Sequence, residues 1–258
     1  MSNKIVLGSG KLYIDTFNGT SLPDDSAIEV DGKLLGYIQG GATLTYTPTF
    51  YEAKDDLGYV YKKFLTEEEA VFKSGIMTWN ADTLAKLCST ADTTSSTSSL
   101  KVLKVGGIGN YDGTQYVLHF VHEDSVDGDI RVTIVGSNEA GFELSFAKDK
   151  ETVINAEFKA APQDSRGTLI YYSEVIPFDL TPTSLSVVAG GSAGSVTLSH
   201  ANDSTVTVTA PTGITGTVNA AKTSCSITAA GTVQAGTYEV SLANNGFTRK
   251  VLVTVTSE

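Results

Sequence analysis

The sequence predicts a mainly β protein made of two β-rich domains. Three observations lead to this prediction: apolar and polar residues alternate along much of residues 1–178, short β-branched runs separated by turn residues fill residues 179–258, and the composition changes between Pro177 and Pro182. The length of 258 residues suits two domains, because a domain commonly holds about 100–200 residues.

Charge and proline content predict the domain boundary. Residues 1–178 carry 15 basic and 25 acidic side chains, a net charge of −10, whereas residues 179–258 carry 3 and 4, a net charge of −1. The connecting segment VIPFDLTPTS contains two prolines, which restrict the backbone and disfavour helix. We therefore expect one domain over residues 1–178, a second over residues 179–258, and an extended, stiff connection between them.

Half-buried strands are predicted in the first domain wherever every second residue is apolar. Three segments show this pattern: Lys11–Asp15 (Leu12, Ile14), Phe142–Phe146 (Phe142, Leu144, Phe146) and Val153–Lys159 (Ile154, Ala156, Phe158). Tight turns are predicted at Asp112-Gly113 and Asp127-Gly128, because glycine takes positive φ at little cost.

One helix is predicted in the first domain. Asn80 or Asp82 can cap it, Leu84, Leu87 and Cys88 follow at helical spacing, and a Ser/Thr-rich loop over residues 89–99 ends it. The preceding segment, residues 66–79, permits two predictions. Thr66-Glu67-Glu68-Glu69 has the form of a capping box before a helix, but Ala70–Trp79 is equally compatible with a strand.

The second domain is predicted to be a β-sandwich. Six short β-branched runs lie at residues 184–188, 196–199, 206–209, 225–228, 238–242 and 251–255, with turn residues between them. Asn245-Gly246 predicts a tight hairpin turn, because both central residues of a type I′ turn need positive φ. A Cys–Trp–Cys pattern is missing from this region, so an antibody-type domain is not expected.

Composition excludes several classes of protein. The net charge of −11 makes a DNA-binding surface improbable on electrostatic grounds, because affinity for nucleic acid comes mainly from neutralised phosphates. No apolar run approaches the length of a membrane span, and the first residues lack the apolar stretch of a signal peptide. Cys88 and Cys225 are expected to be reduced, buried thiols, as in a protein made in the cytosol.

The glycine-rich and histidine-containing segments predict no catalytic, cofactor-binding or metal-binding residues. Gly8-Ser9-Gly10-Lys11 lacks the glycine and hydroxyl residue that a phosphate loop needs, and Gly106-Gly107-Ile108-Gly109 lacks dinucleotide-binding spacing. His119 and His122 are three residues apart on a predicted strand, so they point to opposite faces and cannot share a metal. His200 lies alone in a predicted loop.

An acidic cluster is predicted to be a solvated hairpin tip. It comprises Glu123, Asp124, Asp127 and Asp129, and its spacing departs from that of a calcium-binding loop. A weak cation site is the less favoured alternative.

A resemblance to a known family rests on the order of four segments in the first domain. They are GKLYID, LLGYIQGGATLTYTPTFYEAKDD, GIMTWNADTLAKL and GFELSFAKDKETVINAEFKAAPQDSRGTL. This order resembles the major tail tube protein of long-tailed, siphovirus-like bacteriophages, above all where Trp79 leads into Asn80–Leu87 and where a strand ends at Glu157–Ala160. LTPTSLSVVAGGS and GTYEVSLANNGFTRKVLVTVT, in the second domain, resemble the bacterial immunoglobulin-like domains that some tail tube proteins carry at the C-terminus.

The resemblance implies a tail tube fold for residues 1–178, a β-sandwich or half-barrel with one α-helix, and an immunoglobulin-like β-sandwich for residues 179–258. It implies a structural protein of the virion, without enzymatic activity or cofactor, made in the host cytoplasm. In that family, six copies form a hexameric ring, the inner sheets join into a continuous barrel, and stacked rings form the conduit for DNA ejection during host cell entry. An extended hairpin in the region of Tyr46–Lys63 contacts the next ring.

The implied partners are further copies of the chain, the tape measure, tail terminator and baseplate proteins, and DNA that passes the lumen without specific binding. The second domain is expected to decorate the tube exterior, with weak binding of host-surface glycans as a further expectation. The alternative from another functional class is a bacterial cell-surface or adhesin-type binding protein made of two β-domains.

Overall fold

The chain divides into two compact units. The computed structural model describes residues 9–59, 61–201 and 204–257. The first unit comprises Met1–Glu123 and Asp129–Glu174, and the second comprises Asp124–Gly128 and Val175–Glu258. Phe178, placed at the end of the first domain by the sequence, is buried in the core of the second unit. The change of unit therefore falls at Val175, a few residues before the predicted boundary.

The elements of the first unit are predominantly strands. In chain order they are β1 (Lys11–Thr16), α1 (Asp25–Ile28), β2 (Leu34–Lys54), β3 (Tyr61–Ile76), α2 (Ala81–Lys86), β4 (Ala91–Asp92), β5 (Lys104–Val105), β6 (Tyr116–His122), β7 (Ile130–Asn138), β8 (Ile154–Ala161) and β9 (Tyr171–Glu174). Single 3₁₀ turns lie at Asp31–Lys33 and Ile108–Asn110.

The main sheet of the first unit closes on itself. Its strand order is β6-β1-β2-β3-β8-β7-β9, and β6 also pairs with β7. Six strands therefore form a closed ring of antiparallel pairs. The short strand β9 adds to the Ile130–Thr133 half of β7.

Alternating side chains fill the interior of this closed sheet. Leu12 and Ile14 of β1 are fully buried, as predicted, and so are the inward residues of β8, Ile154, Ala156 and Phe158. Leu84 and Leu87, on and just after α2, pack against the same core.

A second, smaller cluster lies on the other face of β1 and β6. Ile28, at the end of α1, is buried there against Tyr13, Val117, Val121 and Val135. These strands are therefore apolar on both faces, which the simple alternation rule does not anticipate.

The predicted helix is confirmed at α2. The Asn80 side chain caps it by accepting hydrogen bonds from the backbone N–H groups of Asp82 and Thr83, at 2.9 and 3.0 Å. A second helix, the one-turn α1, precedes it and was not predicted from the sequence.

Residues 66–76 form a strand, which decides between the two predictions for this segment. The run Thr66–Glu69 lies within β3 and pairs with β2, so its resemblance to a capping box has no structural counterpart. Cross-strand pairing with β2 from Ile38 to Lys54 outweighs the local helix signal.

The strand predicted at Phe142–Phe146 is wrong. These residues form no strand or helix. Phe142 and Leu144 are partly buried against the core, whereas Phe146 is exposed and contacts the Trp79 ring at a centroid distance of 6.4 Å. The alternating apolar residues therefore belong to a loop, in which Phe142 and Leu144 pack against the core.

The second unit is a sandwich of two four-stranded sheets. Its strands are β10 (Asp179–Thr181), β11 (Ser184–Val188), β12 (Gly194–Ser199), β13 (Thr207–Thr209), β14 (Ile214–Val218), β15 (Ser224–Ala229), β16 (Gly236–Asn244) and β17 (Phe247–Thr256). One sheet has the order β10-β12-β15-β14 and the other β11-β17-β16-β13. Five of the six predicted runs lie wholly in strands, and the run at residues 206–209 lies in β13 except for its first residue. The strands β10 and β14 are additional.

The predicted hairpin turn of the second unit is confirmed. Asn245 and Gly246 have φ of 47° and 81°, and they connect the pair Asn244–Phe247 at the ends of β16 and β17. Both central residues thus have the positive φ that this turn requires. In the described part of the chain, no helix is both long and apolar enough to cross a membrane.

Candidate assembly surface

A long two-stranded ribbon extends from the closed sheet of the first unit. It consists of Tyr46–Lys54 in β2 and Tyr61–Glu69 in β3, which pair with each other. The strand β1 pairs with β2 only at residues 34–37, and β8 pairs with β3 only at residues 71–76. Within the described residues, both outer edges of the ribbon are therefore unpaired. Pro48, which has no N–H group, suits such an edge strand.

The ribbon exposes an unusual amount of apolar surface. Large side chains are exposed along its strands and in the turn that connects them: Tyr46, Phe50, Tyr51, Leu57, Tyr59, Tyr61, Phe64 and Leu65. A two-stranded hairpin alone is only marginally stable in water, and large exposed apolar patches commonly mark interaction sites. This surface is therefore the strongest candidate for contact with another protein.

A β-bulge divides the ribbon and fixes which residues share a face. The register shifts between Thr49 and Phe50, where Thr66 is the extra residue of β3. Residues directly opposite each other in an antiparallel pair share a face. Face I contains Phe50 and Leu65, and face II contains Tyr51 and Phe64.

The charges of face I are paired within the ribbon. Glu52 lies 2.8 Å from Lys54 and 3.7 Å from Lys63, and it accepts a hydrogen bond from the Tyr61 hydroxyl at 3.0 Å. The hydrogen bond from Lys54 is the largest cause of a lowered pKa at Glu52. Lys63 also lies over the ring of Phe50, 4.3 Å from its centroid.

The charged side chains that the structure describes on face II form no ion pairs with one another. The Lys62 ammonium lies 4.8 Å from the centroid of the Phe64 ring. Glu69 reaches Lys159 of β8 at 3.6 Å. Among the described residues, neither Lys62 nor Glu67 is in an ion pair or a hydrogen bond with a side chain of opposite charge.

A second cluster of charged side chains anchors α1 to the closed sheet. The Nε group of Arg131 donates to Glu29 Oε1 at 2.6 Å, and Nε2 of the buried His119 lies 3.1 Å from the same oxygen. Nδ1 of His119 lies 2.8 Å from the Thr133 hydroxyl. Burial alone raises the pKa of Glu29, but Arg131 and His119 outweigh it and lower this pKa below its ordinary value.

This cluster is better suited to an ion pair than to a metal. Ligand atoms of Asp25, Glu29 and His119 lie within 4.8 Å of one another. However, the Arg131 guanidinium lies between the two carboxylates, 2.6 Å from Glu29 and 3.3 Å from Asp25. A fixed positive charge in that position opposes the binding of a divalent cation. Glu29 was not predicted from the sequence, because nothing in its local sequence indicates a partner some 90 residues away.

The two predicted strand histidines are not brought together. His119 faces Glu29 and Thr133, whereas Nδ1 of His122 lies 2.8 Å from the Ser9 carbonyl oxygen. Both are buried in β6. His200 is an exposed loop residue with φ of 57°, and its neighbours Asn202 and Asp203 lie outside the described residues.

The residues of the predicted acidic cluster make separate local contacts. Asp124 accepts hydrogen bonds from the N–H groups of Val126 and Asp127, which is typical of a turn. Glu123 pairs with Lys11 at 2.6 Å, and Asp129 pairs with Arg131 at 3.3 Å.

The remaining residues considered in the sequence analysis are those of the two glycine-rich segments and the two cysteines. Gly8 lies outside the described residues, and Lys11 begins β1. Gly106 and Gly107 have φ of 114° and 87° in a turn. Both cysteines are free; Cys225 is buried and Cys88 is only partly so.

Comparisons with known proteins identify no family. No protein-family description and no curated protein matches the chain. Among solved structures, the chain is similar to the surface-layer protein SbsC in two forms, with 12% and 10% identity and TM-scores of 0.25 and 0.26. The matches cover 96% and 97% of this chain and 53% of each S-layer chain, so the chain spans about half their length.

Proposed function

We propose that this protein is the tail tube subunit of a long-tailed bacteriophage. In this proposal it forms stacked, hexameric rings that conduct DNA into the host, acts as a structural protein of the virion, and catalyses no reaction. The observation that carries the proposal is the ribbon of the first unit, which leaves two strand edges and many aromatic side chains uncovered.

The free edges support assembly by strand pairing. Unpaired backbone N–H and C=O groups along an edge are a template for another chain, and natural proteins normally protect such edges. Here the unprotected edge of β2 begins after residue 37 and continues to Lys54. A ring in which each copy covers its neighbour's edge satisfies these groups without any change of fold.

The exposed apolar residues support stacking. Phe50 and Leu65 form an apolar pair on face I, with exposed fractions of 45% and 49%. In a tube, contact with the next ring removes this surface from water. Burial of apolar area stabilises association by roughly 25 cal/mol per Å² before the costs of ordering are subtracted.

The charge supports a conduit for DNA. Residues 1–178 carry ten more acidic than basic side chains. A lumen lined with net negative charge repels a polyanion and does not retain it. The second unit, with a net charge near zero over residues 179–258, would decorate the exterior.

Negative-stain electron microscopy of the purified protein tests this proposal. We expect six-fold rings or tubes, and we expect Leu65→Lys to abolish stacked tubes because it places a charge in the stacking contact. Ile108→Lys is the matched control, because Ile108 is 94% exposed in a different segment of the same unit. Uniform single particles from the unaltered chain, under all assembly conditions, would contradict a tube subunit and favour the two-domain surface protein.

A further inference from the structure

Face II of the ribbon has a charge pattern that is complementary to itself. Three successive cross-strand pairs lie on this face: Ala53–Lys62, Tyr51–Phe64 and Thr49–Glu67. The middle pair is aromatic, and its members are exposed by 61% (Tyr51) and 43% (Phe64). Along the ribbon, the positive charge of Lys62 thus lies one cross-strand pair from the Tyr51–Phe64 pair in one direction, and the negative charge of Glu67 lies one pair away in the other direction.

The bulge creates this pattern. Without an extra residue in β3, side chains 62, 64 and 66 would share a face, and Glu67 would point to the other one. The register shift at Thr49 and Phe50 makes Glu67 the partner of Thr49 and returns it to the face of Phe64. Lys62 and Glu67 therefore lie at similar distances from the Tyr51–Phe64 pair, about 7 Å along the strand on either side.

We infer that two copies of this chain associate through face II, with their ribbons antiparallel and related by a two-fold axis through the Tyr51–Phe64 pairs. In this arrangement, Lys62 of each copy lies opposite Glu67 of the other, and the four aromatic rings meet at the centre. A two-fold contact uses the same patch on both copies, which this pattern satisfies.

Face II fits this partner better than face I does. On face I, Lys54 and Lys63 are already paired with Glu52 of the same chain. On face II, neither Lys62 nor Glu67 has such a partner among the described residues. The intermolecular pairs would therefore form without breaking pairs inside either copy.

The contact is small, and this sets its strength. It involves a few side chains from each ribbon, and contacts that bury less than about 1,200 Å² in total are typical of weak, transient complexes. We therefore expect a reversible dimer that forms at micromolar to millimolar concentration and weakens as salt screens the two ion pairs. This inference is independent of the proposed tube, because such a dimer would cover face II and leave face I, the proposed stacking surface, exposed.

Sedimentation velocity of the full chain over a concentration series tests the inference. Under solution conditions in which microscopy shows no rings or tubes, the unaltered chain should show a monomer–dimer equilibrium. Lys62→Glu and Glu67→Lys should each weaken the dimer by more than about tenfold, because each places like charges opposite one another. Lys63→Glu and Glu68→Lys are the matched controls, since they make the same charge changes on face I and should leave the dimer constant within about twofold.

Mixing the two weakened variants is the most specific test. The Lys62→Glu chain is acidic at both positions 62 and 67, and the Glu67→Lys chain is basic at both. In a mixed dimer, each acidic side chain of the first variant would lie opposite a basic side chain of the second. Both intermolecular pairs are then attractive, so an equimolar mixture should recover the dimer.

Three results would overturn the inference: an unaltered chain that stays monomeric over the whole range, variants with unchanged association, or a mixture that recovers particles larger than a dimer. The last result would indicate a head-to-tail contact. Because sedimentation is measured under conditions in which microscopy shows no rings or tubes, failure of this inference is distinguishable from failure of the proposed function.

Discussion

At the scale of single residues, Glu29 holds α1 on the closed sheet. Its carboxylate receives Arg131 and His119 at 2.6 and 3.1 Å, and its side chain is 22% exposed. The half-buried position makes this ion pair stronger than an ordinary surface pair, because water screens it less.

We predict that Glu29→Gln lowers the free energy of unfolding by about 1–3 kcal/mol at neutral pH, because the half-buried Arg131 guanidinium loses its charged partner. The folded protein lowers the pKa of Glu29. Its contribution is therefore fully present above the unfolded value of about 4.3 and is lost as pH falls through the folded value. The difference between the two proteins should shrink in acid.

Urea unfolding followed by tryptophan fluorescence measures this effect, because Trp79 is the one tryptophan of the chain and lies in the first unit. Glu143→Gln, at an exposed loop position, is the control and should change little. A difference that stays constant down to strongly acidic pH would show that the carboxylate charge is not responsible.

Asn138 is a second residue with several roles. This buried side chain donates hydrogen bonds to the carbonyl oxygens of Leu87 and Gly141, at 2.8 and 2.6 Å. It also accepts one from the N–H group of Glu157 at 2.8 Å. One amide thus joins the end of α2, a loop and β8.

We predict that Asn138→Ala destabilises the first unit by about 2–4 kcal/mol, since three hydrogen bonds are lost and each contributes about 0.5–1.5 kcal/mol. Thermal unfolding followed by Trp79 fluorescence measures the change. Asn155→Ala, at an exposed position of β8, is the control. Equal effects from both variants would mean that the hydrogen bonds of Asn138 contribute little.

At the scale of elements, the ribbon differs from the hairpin of β6 and β7. The ribbon segments of β2 and β3 pair only with each other, whereas β6 and β7 pair with further strands on both sides. Local opening is easiest where few buried contacts resist it.

We predict low hydrogen-exchange protection of ribbon amides in the free chain and high protection in the assembled form. The ribbon lies within the segment Tyr46–Lys63 and the following residues of β3; Val60 of that segment lies outside the described residues. Amides of β6 provide the internal reference, since that strand is buried in the closed sheet and should be protected in both states. Equal ribbon protection before and after assembly would contradict a role in stacking.

At the scale of the whole molecule, each unit has its own core. We predict that the first unit assembles without the second. Phe178 and Leu180 are buried in the sandwich, so a deletion should begin at Val175 and avoid leaving these side chains exposed. Electron microscopy should show rings or tubes from the shortened chain. Failure to assemble, while the full chain does so under the same conditions, would assign an assembly role to the sandwich.

We also predict that the assembled protein does not bind duplex DNA. Binding at about 0.15 M salt needs several lysine or arginine contacts that release counterions, and the chain has a net charge of −11. Fluorescence anisotropy of labelled duplex DNA across a salt series measures this. Micromolar or tighter affinity that falls steeply with salt would reveal a basic lumen and overturn the repulsive conduit.

The sequence by itself determined the mainly β character, most strands of the sandwich, the turn at Asn245-Gly246 and a helix capped by Asn80 or Asp82, of which the structure shows Asn80. These features depend on side-chain period and on the φ preferences of single residues, which are local properties. Closure of the first sheet could not be predicted, because it depends on the pairing of β6 with both β1 and β7.

Tertiary structure alone decided four further points. Phe142–Phe146 alternates like a strand but finds no neighbouring strand to pair with, whereas residues 66–76 have a helix signal but are held as a strand by β2. Glu29, His119 and Arg131 meet only because α1 folds over β6 and β7. Likewise, the bulge that places Glu67 on the face of Phe64 is a property of the register between two strands. Contacts between residues distant in sequence decide such features, and no local pattern records them.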